Sequence, residues 1–305
     1  MDRFEAMSLL VAVTEQGSLS AASRALHVPL ATLSRKISDL EARLGTRLLI
    51  RTTRKLTLTD AGVAYVAAAR RILEQVEEAE REAAGEFTVP KGELVVTAPT
   101  MFGRLHVLPV VADFLAAFPD ISVRLLLLDR NVDLVEDHVD MAVRIGRLPD
   151  SSMVATKVGD MRTVLCASPA LLASHGLPKA PGDLARLPCV AVEAPLSSTS
   201  WRFRHPRSGA AVHVAIAPRL TVTTPEAAAR AAVLGVGVAR LMHYQAVDAV
   251  QRGELQIVLE AHEPEAVPVH VIHASRGQMP LKMRRFLDFA APRLREALAA
   301  ISAPG

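Results

Sequence analysis

A chain of 305 residues, half of them hydrophobic, exceeds what one average core requires and is long enough for two or three domains. A net charge of +3 is too small to make the whole molecule a polyanion binder, so any such role must come from a local surface. The only two cysteines, Cys166 and Cys189, sit far apart in apolar runs, which excludes a disulfide framework, a metal knuckle and a CxxC redox pair.

The N-terminus, MDRFEAMSLL, carries an early acid and no long apolar core before a cleavage site. No apolar run reaches about 18 residues, so the expectation is a cytoplasmic protein without a membrane span. Phe4, Met7, Leu10, Val11 and Thr14 recur at helical spacing over Arg3 to Gln16. Gly17 ends that helix and Ser18 is placed to cap a short, alanine-rich second one, Leu19 to Leu26. His27 and Val28 connect to a third helix, where Pro29 suits the first position. Leu33, Ile37, Leu40 and Leu44 form its apolar stripe, Thr32, Arg35, Lys36, Asp39 and Arg43 its polar face, and Gly45 its stop. Two tightly joined helices, the second basic on its outside, make a helix-turn-helix candidate. Leu48, Ile50 and the Leu56 to Leu58 segment read as a strand pair with a basic tip at Arg51 to Lys55, the pattern of a wing. Only Asp39 and Glu41 oppose the cations between Arg35 and Lys55.

Thr59 or Asp60 starts a long helix to about Glu82, in which Tyr65, Ala69, Ile72, Val76, Ala79 and Ala83 alternate four and three apart. That is a coiled-coil seam flanked by charges, read as a dimeriser, against the plainer reading of a helix packed on its own domain. GEFTVPKG at 85–92 is a linker. Beyond it, strands at 94–98, 121–128, 140–145, 162–167, 189–193, 201–203, 211–216, 219–222, 236–241, 255–259 and 267–274 are expected. Helices are expected at 107–118, 134–138, 170–174, 225–234 and 281–299, so the order is α/β and implies parallel sheets.

Residues 1–92 resemble the N-terminal region of LysR-type transcriptional regulators. The matching residues are Phe4 and Val11, the run Gly17 to Leu26, Leu33 to Ile37, Leu40, Glu41, Leu44, Gly45, Arg47, Leu48, Arg51 to Arg54, Leu58, Thr59 and Gly62. The remainder is similar to the family's effector-binding part, through VDMAVRIG at 139–146 and VLGVGVARL at 233–241. The resemblance implies a winged helix-turn-helix at 1–59, a linker and dimerisation helix at 60–90, and an effector-binding domain at 91–305. That domain would have two Rossmann-like lobes resembling periplasmic binding proteins, lobe I about 91–161 with 267–305 and lobe II about 162–266.

It further implies promoter double-stranded DNA, a small-molecule effector and a second copy of the chain as partners, in a homodimer or tetramer, with RNA polymerase as a further partner. No cofactor and no metal are implied. For DNA it points to Ser18, Leu30, Ala31, Thr32, Ser34, Arg35, Arg47, Arg51, Thr53, Arg54 and Lys55. Arg35 has the fork to read guanine and Thr32 can meet a thymine methyl, while the wing residues suit phosphates. Leu30 stands where many members have a polar residue; it is either a methyl reader or a core leucine.

For the effector, the rule that open α/β sheets bind ligands at the carboxyl ends of strands points to Thr100, Met101, Phe102, Asp129 and Asn131, with Arg144, Trp201 and Thr224 as further candidates, and the resemblance places the family's ligand loop at Thr100. Three of them have a plainer alternative: core packing for Trp201, helix capping for Thr224, an internal salt bridge for Arg144. For dimerisation the seam spacing points to Tyr65, Ala69, Ile72, Val76 and Ala79. The chain lacks HExxH, GxSxG and phosphate-loop signatures, and His270 and His273 face opposite sides of a strand, so no catalytic residue and no enzyme is expected.

Overall fold

The computed structural model describes residues 2–51, 56–83, 89–148, 153–193, 200–274 and 279–302, which fall into two compact units, Met1–Val89 and Pro90–Gly305. In the first, α1 (Arg3–Gln16), α2 (Leu19–Ala25) and α3 (Leu30–Leu44) precede a hairpin of β1 (Leu49–Arg51) and β2 (Leu56–Leu58), then α4 (Asp60–Ala83). One core joins them, built from Leu10 and Val13 of α1, Ala22 of α2, Leu33, Ile37 and Leu40 of α3, Leu48, Leu49 and Val66.

The α1 stripe is rotated from the expected one. Phe4 is 48% exposed, whereas Ala6 and Val13 are fully buried. Because α1 touches α2, α3 and α4 at once, close approach selects Ala6 for the interior over the bulkier Phe4. Leu44 is also exposed, one residue before the left-handed Gly45 that ends α3. In the wing, Leu48 and Leu49 point inward and Ile50 outward, one residue out of step with the expected face.

The second unit begins with β3 (Gly92–Ala98), α5 (Thr100–Phe102), a π-helical turn (Gly103–Val107) and α6 (Leu108–Ala117). β4 (Ile121–Leu127), β5 (Met141–Ile145), β6 (Met153–Met161), β7 (Thr163–Ala167), α7 (Pro169–His175) and β8 (Cys189–Val192) follow. Next come β9 (Ser200–Arg204), β10 (Ala211–Ala215), β11 (Pro218–Val222), α8 (Pro225–Val233), β12 (Val238–Met242), α9 (His243–Gln251) and β13 (Gln256–Val258). The chain returns through β14 (Val267–Ala274) to α10 (Leu281–Ser302). The strands form two five-stranded sheets, ordered β4-β3-β5-β14-β6 in lobe I and β11-β8-β12-β7-β13 in lobe II.

Both sheets are mixed, not parallel throughout. β14 runs antiparallel to β5 and β6, and β7 antiparallel to β12 and β13, because these are the strands on which the chain crosses between lobes. Beside those crossovers Arg162 grips Glu263 through two bonds, Nε to Oε2 at 2.9 Å and Nη2 to Oε1 at 2.8 Å.

Four elements depart from expectation, the first being α9 (His243–Gln251), a helix where the sequence reading has only a connection between strands. β6 is a strand outside the expected set, since its Lys, Gly and Asp suit a strand poorly; it is fixed by pairing with β14 and by α10, which lies so close that a Cβ on Gly159 would sit 2.7 Å from Leu298 Cδ1. Residues 134–138 form turns instead of a helix, organised by the Asp133 carboxylate, which accepts from the N–H groups of Val135 and Glu136. The helix expected from Val107 starts at Thr100. Residues 100–117, with a mean hydropathy of 1.3, are long and apolar enough to cross a membrane. Here Phe102, Val107, Val110, Val111 and Phe114 instead fill the lobe I core.

Candidate functional site

The recognition unit is built on backbone caps. Ser18 accepts from the N–H of Ala21 at 3.1 Å and starts α2. The turn to α3 is held by the Ser23 hydroxyl, which donates to the Val28 carbonyl at 2.7 Å, and by His27 at a φ of 53°. Pro29 is extended, with a ψ of 135°, so it caps α3 from outside instead of opening it. Leu30, Ala31 and Thr32 thereby become the first three helical residues, whose N–H groups have no partner within the helix. Leu30 is 45% exposed, which removes the core-leucine reading. Ala31 and Arg35 are exposed, Thr32 and Ser34 half-buried, and Lys36 is ion-paired to Glu5 of α1. Since Leu33, Ile37 and Leu40 fix the buried face, the helix start and Arg35 share the open one.

The wing is locked to α3 by Glu41, which the sequence marks as a family match and an acid among cations but gives no structural role. Glu41 Oε1 accepts from the N–H of Leu48 at 2.8 Å and of Leu49 at 3.0 Å. Thr59 closes the other side: its hydroxyl donates to the Arg47 carbonyl at 2.7 Å and accepts from the Gly62 N–H at 2.9 Å. Gly62 lies so near that a Cβ there would stand 2.1 Å from the Leu48 oxygen. β1 and β2 pair antiparallel, Arg51 opposite Leu56. Arg47 is exposed. Thr53, Arg54 and Lys55, and the side chain of Arg51, lie outside the described residues.

On α4 the seam divides. Ala69 is 1% exposed, buried by its own chain, so it offers no surface to a partner. Tyr65 packs against the domain core, and Arg70 pairs with Glu15 of α1 at 3.1 Å. The start of the seam is thus spent on α1, the competing reading for this helix. Ile72 is exposed and Val76 half-buried, while the side chain of Ala79 is outside the described residues.

In the second unit, Asp129 Oδ1 accepts from the N–H of Thr100 at 2.9 Å, so a resident carboxylate already occupies the start of α5. Met101 is half-buried and Asn131 exposed. Phe102 is wholly inaccessible and Trp201 6% exposed; both pack into the cores of their lobes, the plainer of the readings for Trp201. Thr224 is exposed and caps α8, accepting from the Ala227 N–H at 3.2 Å. Arg144 donates to the Val132 carbonyl at 3.1 Å, and its burial lowers its pKa. Among the described residues it has no carboxylate partner, so the internal salt bridge fails.

Sequence reading missed the residues that join the lobes. Arg104 of the π-helical turn pairs with Glu226 of α8 at 3.0 Å. Tyr244, at the start of α9 in lobe II, meets Phe102 edge-on at 5.2 Å and the His106 ring at 5.9 Å. Burial pushes the Tyr244 phenol up to about 12 and the His106 imidazole down, the latter against the charge of Asp248. Among the described residues His106 Nε2 has no hydrogen-bond partner. No pattern of spacing could have paired positions more than a hundred residues apart.

Residues 4–63 match the description of a bacterial regulatory helix-turn-helix protein of the lysR family, and residues 88–295 that of the LysR substrate binding domain. The chain belongs to the LysR family of transcriptional regulators. This LysR-type regulator is 35% identical to an HTH-type transcriptional repressor of Pseudomonas aeruginosa, over 95% of this chain and 91% of that one. It is 29% identical to the Escherichia coli transcriptional activator AaeR, over 93% and 91%. Among solved structures it is similar to the regulator CrgA of Neisseria meningitidis, with a TM-score of 0.61 and 30% identity over 96% of this chain and 99% of the other. It is also similar to the Vibrio cholerae virulence activator AphB, with a TM-score of 0.60 and 27% identity over 95% and 99%. The LysR-type chain is therefore a DNA-binding transcriptional regulator with an effector-binding domain of two α/β lobes.

Proposed function

We propose that this regulator reads its operator with the first turn of α3 and Arg35, and positions itself on phosphates with Ser18, Ser34, Arg47, Arg51, Thr53, Arg54 and Lys55. The observation that carries this is the open face left by Leu33, Ile37 and Leu40, on which Leu30, Ala31 and Arg35 are presented together. Arg35 forks to a guanine edge, Thr32 bonds a base or touches a methyl, and Leu30 lies against a thymine methyl. Arg35→Ala is expected to cost about 1–3 kcal/mol on the operator and much less on scrambled DNA. Binding curves on both DNAs across a salt series test it, and equal losses on the two would overturn the assignment.

The effector, with no other cofactor, binds between the lobes near Thr100, Met101, Asn131, Arg144 and Thr224. Arg144 supplies the cation for an acidic ligand group, and Asp129 repels a second anion from Thr100. Thermal shifts of the full-length protein with small organic acids test this, since Arg144→Met should abolish any acid-dependent stabilisation. The protein works in the cytoplasm as a homodimer or tetramer, with Ile72, Val76 and Ala79 at the contact and RNA polymerase as a further partner, and performs no catalysis.

A further inference from the structure

Between Glu193 and Glu226 the sequence has no acidic residue, yet it contains Arg202, Arg204, Arg207 and Arg219. Three of these arginines sit on the β9–β10 hairpin of lobe II. Its strands are antiparallel, with Arg202 opposite His213 and Arg204 opposite Ala211. Alternation sends Trp201 and Phe203 into the core with Leu184, Leu187 and Ile216, and turns Arg202 and Arg204 to the outside, about 7 Å apart along the strand. Arg207 lies in the turn beyond them. That turn is braced by His205, whose Nδ1 accepts from the N–H groups of Arg207 at 3.3 Å and Ser208 at 3.2 Å, and by Gly209 at a φ of 69°. The hairpin is therefore a stiff platform nailed to the core by its aromatic face.

Its other face carries cations that the fold itself does not use. Among the described residues none of the three arginines pairs with a carboxylate, in contrast to Arg162 with Glu263 or Arg104 with Glu226. Like charges held this close repel each other and give nothing back to folding. The outward residues of the two strands, Ser200, Arg202, Arg204, Ala211, His213 and Ala215, include no large apolar side chain. A protein partner would call for an apolar or aromatic centre, whereas a nucleic-acid backbone needs only well-placed cations.

We propose that the β9–β10 hairpin is a second DNA-contacting surface, sequence-independent and located in the regulatory part of the chain. It grips backbone phosphates beyond those engaged by α3 and the wing. This rests on the DNA-binding reading above, and the test separates the two.

Full-length wild type, R202A/R204A/R207A and R202K/R204K/R207K are titrated with one operator, as a core fragment and as a fragment extended on both sides, over a salt series. On the extended DNA the alanine variant should lose about 2–3 from the slope of log K against log salt, since each phosphate contact contributes about 0.9. Its affinity at low salt should fall about 10- to 100-fold there, with the core-fragment curves unchanged and the lysine variant restoring most of the slope. All three positions are exposed, so the melting temperature should hold. Identical slopes for wild type and the alanine variant on both fragments would overturn the proposal. Unchanged DNA curves with lost retention on a poly-glutamate matrix would assign the hairpin to an acidic protein instead. Absence of salt-sensitive binding by the wild type on either DNA would strike the underlying DNA-binding reading.

Discussion

Glu41→Ala separates charge from architecture at the DNA-binding unit. As a charge, Glu41 is an acid beside a phosphate-binding surface, and its removal should tighten DNA binding. As a structural element it does the opposite, because one carboxylate oxygen holds the N–H groups of Leu48 and Leu49 where the chain enters the wing. A hydrogen bond to a charged group is worth about 1.5–3 kcal/mol, and Glu41 is partly open to water, so losing both bonds should cost about 2–4 kcal/mol of local stability. Removing one exposed like charge near DNA gains about 1 kcal/mol at most. The wing effect wins, and operator affinity should fall about tenfold or more. Glu41→Gln keeps an acceptor oxygen and should recover much of the loss. Hydrogen exchange at the Leu48 and Leu49 amides, measured beside fluorescence anisotropy on operator DNA, reports both sides. Equal or tighter DNA binding by Glu41→Ala with unchanged amide protection would refute the reasoning.

Gly62→Ala should destabilise the first unit by about 3 kcal/mol or more, since its Cβ would overlap the Leu48 oxygen, which is backbone and cannot swing aside; denaturant unfolding of this variant beside Gly182→Ala compares a crowded glycine with one that has open space around it and no positive φ. Leu30→Ser should leave stability within about 0.5 kcal/mol while shifting base preference, because Leu30 is exposed, and operator selection from a random pool reads that shift. Burial pushes the thiols of Cys166 and Cys189 up to about 12 and about 11, so both stay protonated near neutral pH and should resist alkylation until the protein is unfolded. The sign of the linkage follows: a raised folded pKa gives stability that is complete below the unfolded value near 9 and is lost as pH climbs toward 11–12, visible as a falling melting temperature.

The helix-turn-helix was legible because its signals are local. Apolar positions at helical spacing, a serine cap and a terminal glycine each act within one turn, and they placed α2, α3 and the wing to within a residue or two. The α/β alternation of the second half was legible for the same reason, since strand runs and helix starts carry their own composition. What escaped depended on partners far away in the chain. β6 becomes a strand because β14 and α10 hold it there. Phe102 is buried by the lobe I core and by Tyr244 of lobe II, and Trp201 by the sheet and short helices of lobe II, although their positions at a strand end and in a hairpin suit a ligand equally well.

By itself the sequence determined the family, the helix-turn-helix and wing, the α/β character of the second half and the presence of a basic reading surface. Only the tertiary structure decided that Leu30 faces outward, that Glu41 serves the wing and not the charge balance, that Ala69 is spent on its own domain, and that Arg104 meets Glu226 across the lobes. Periodicity along a helix or strand tells which residues share a face, but which face is covered is fixed by whatever packs against it, and that partner is chosen by the whole chain.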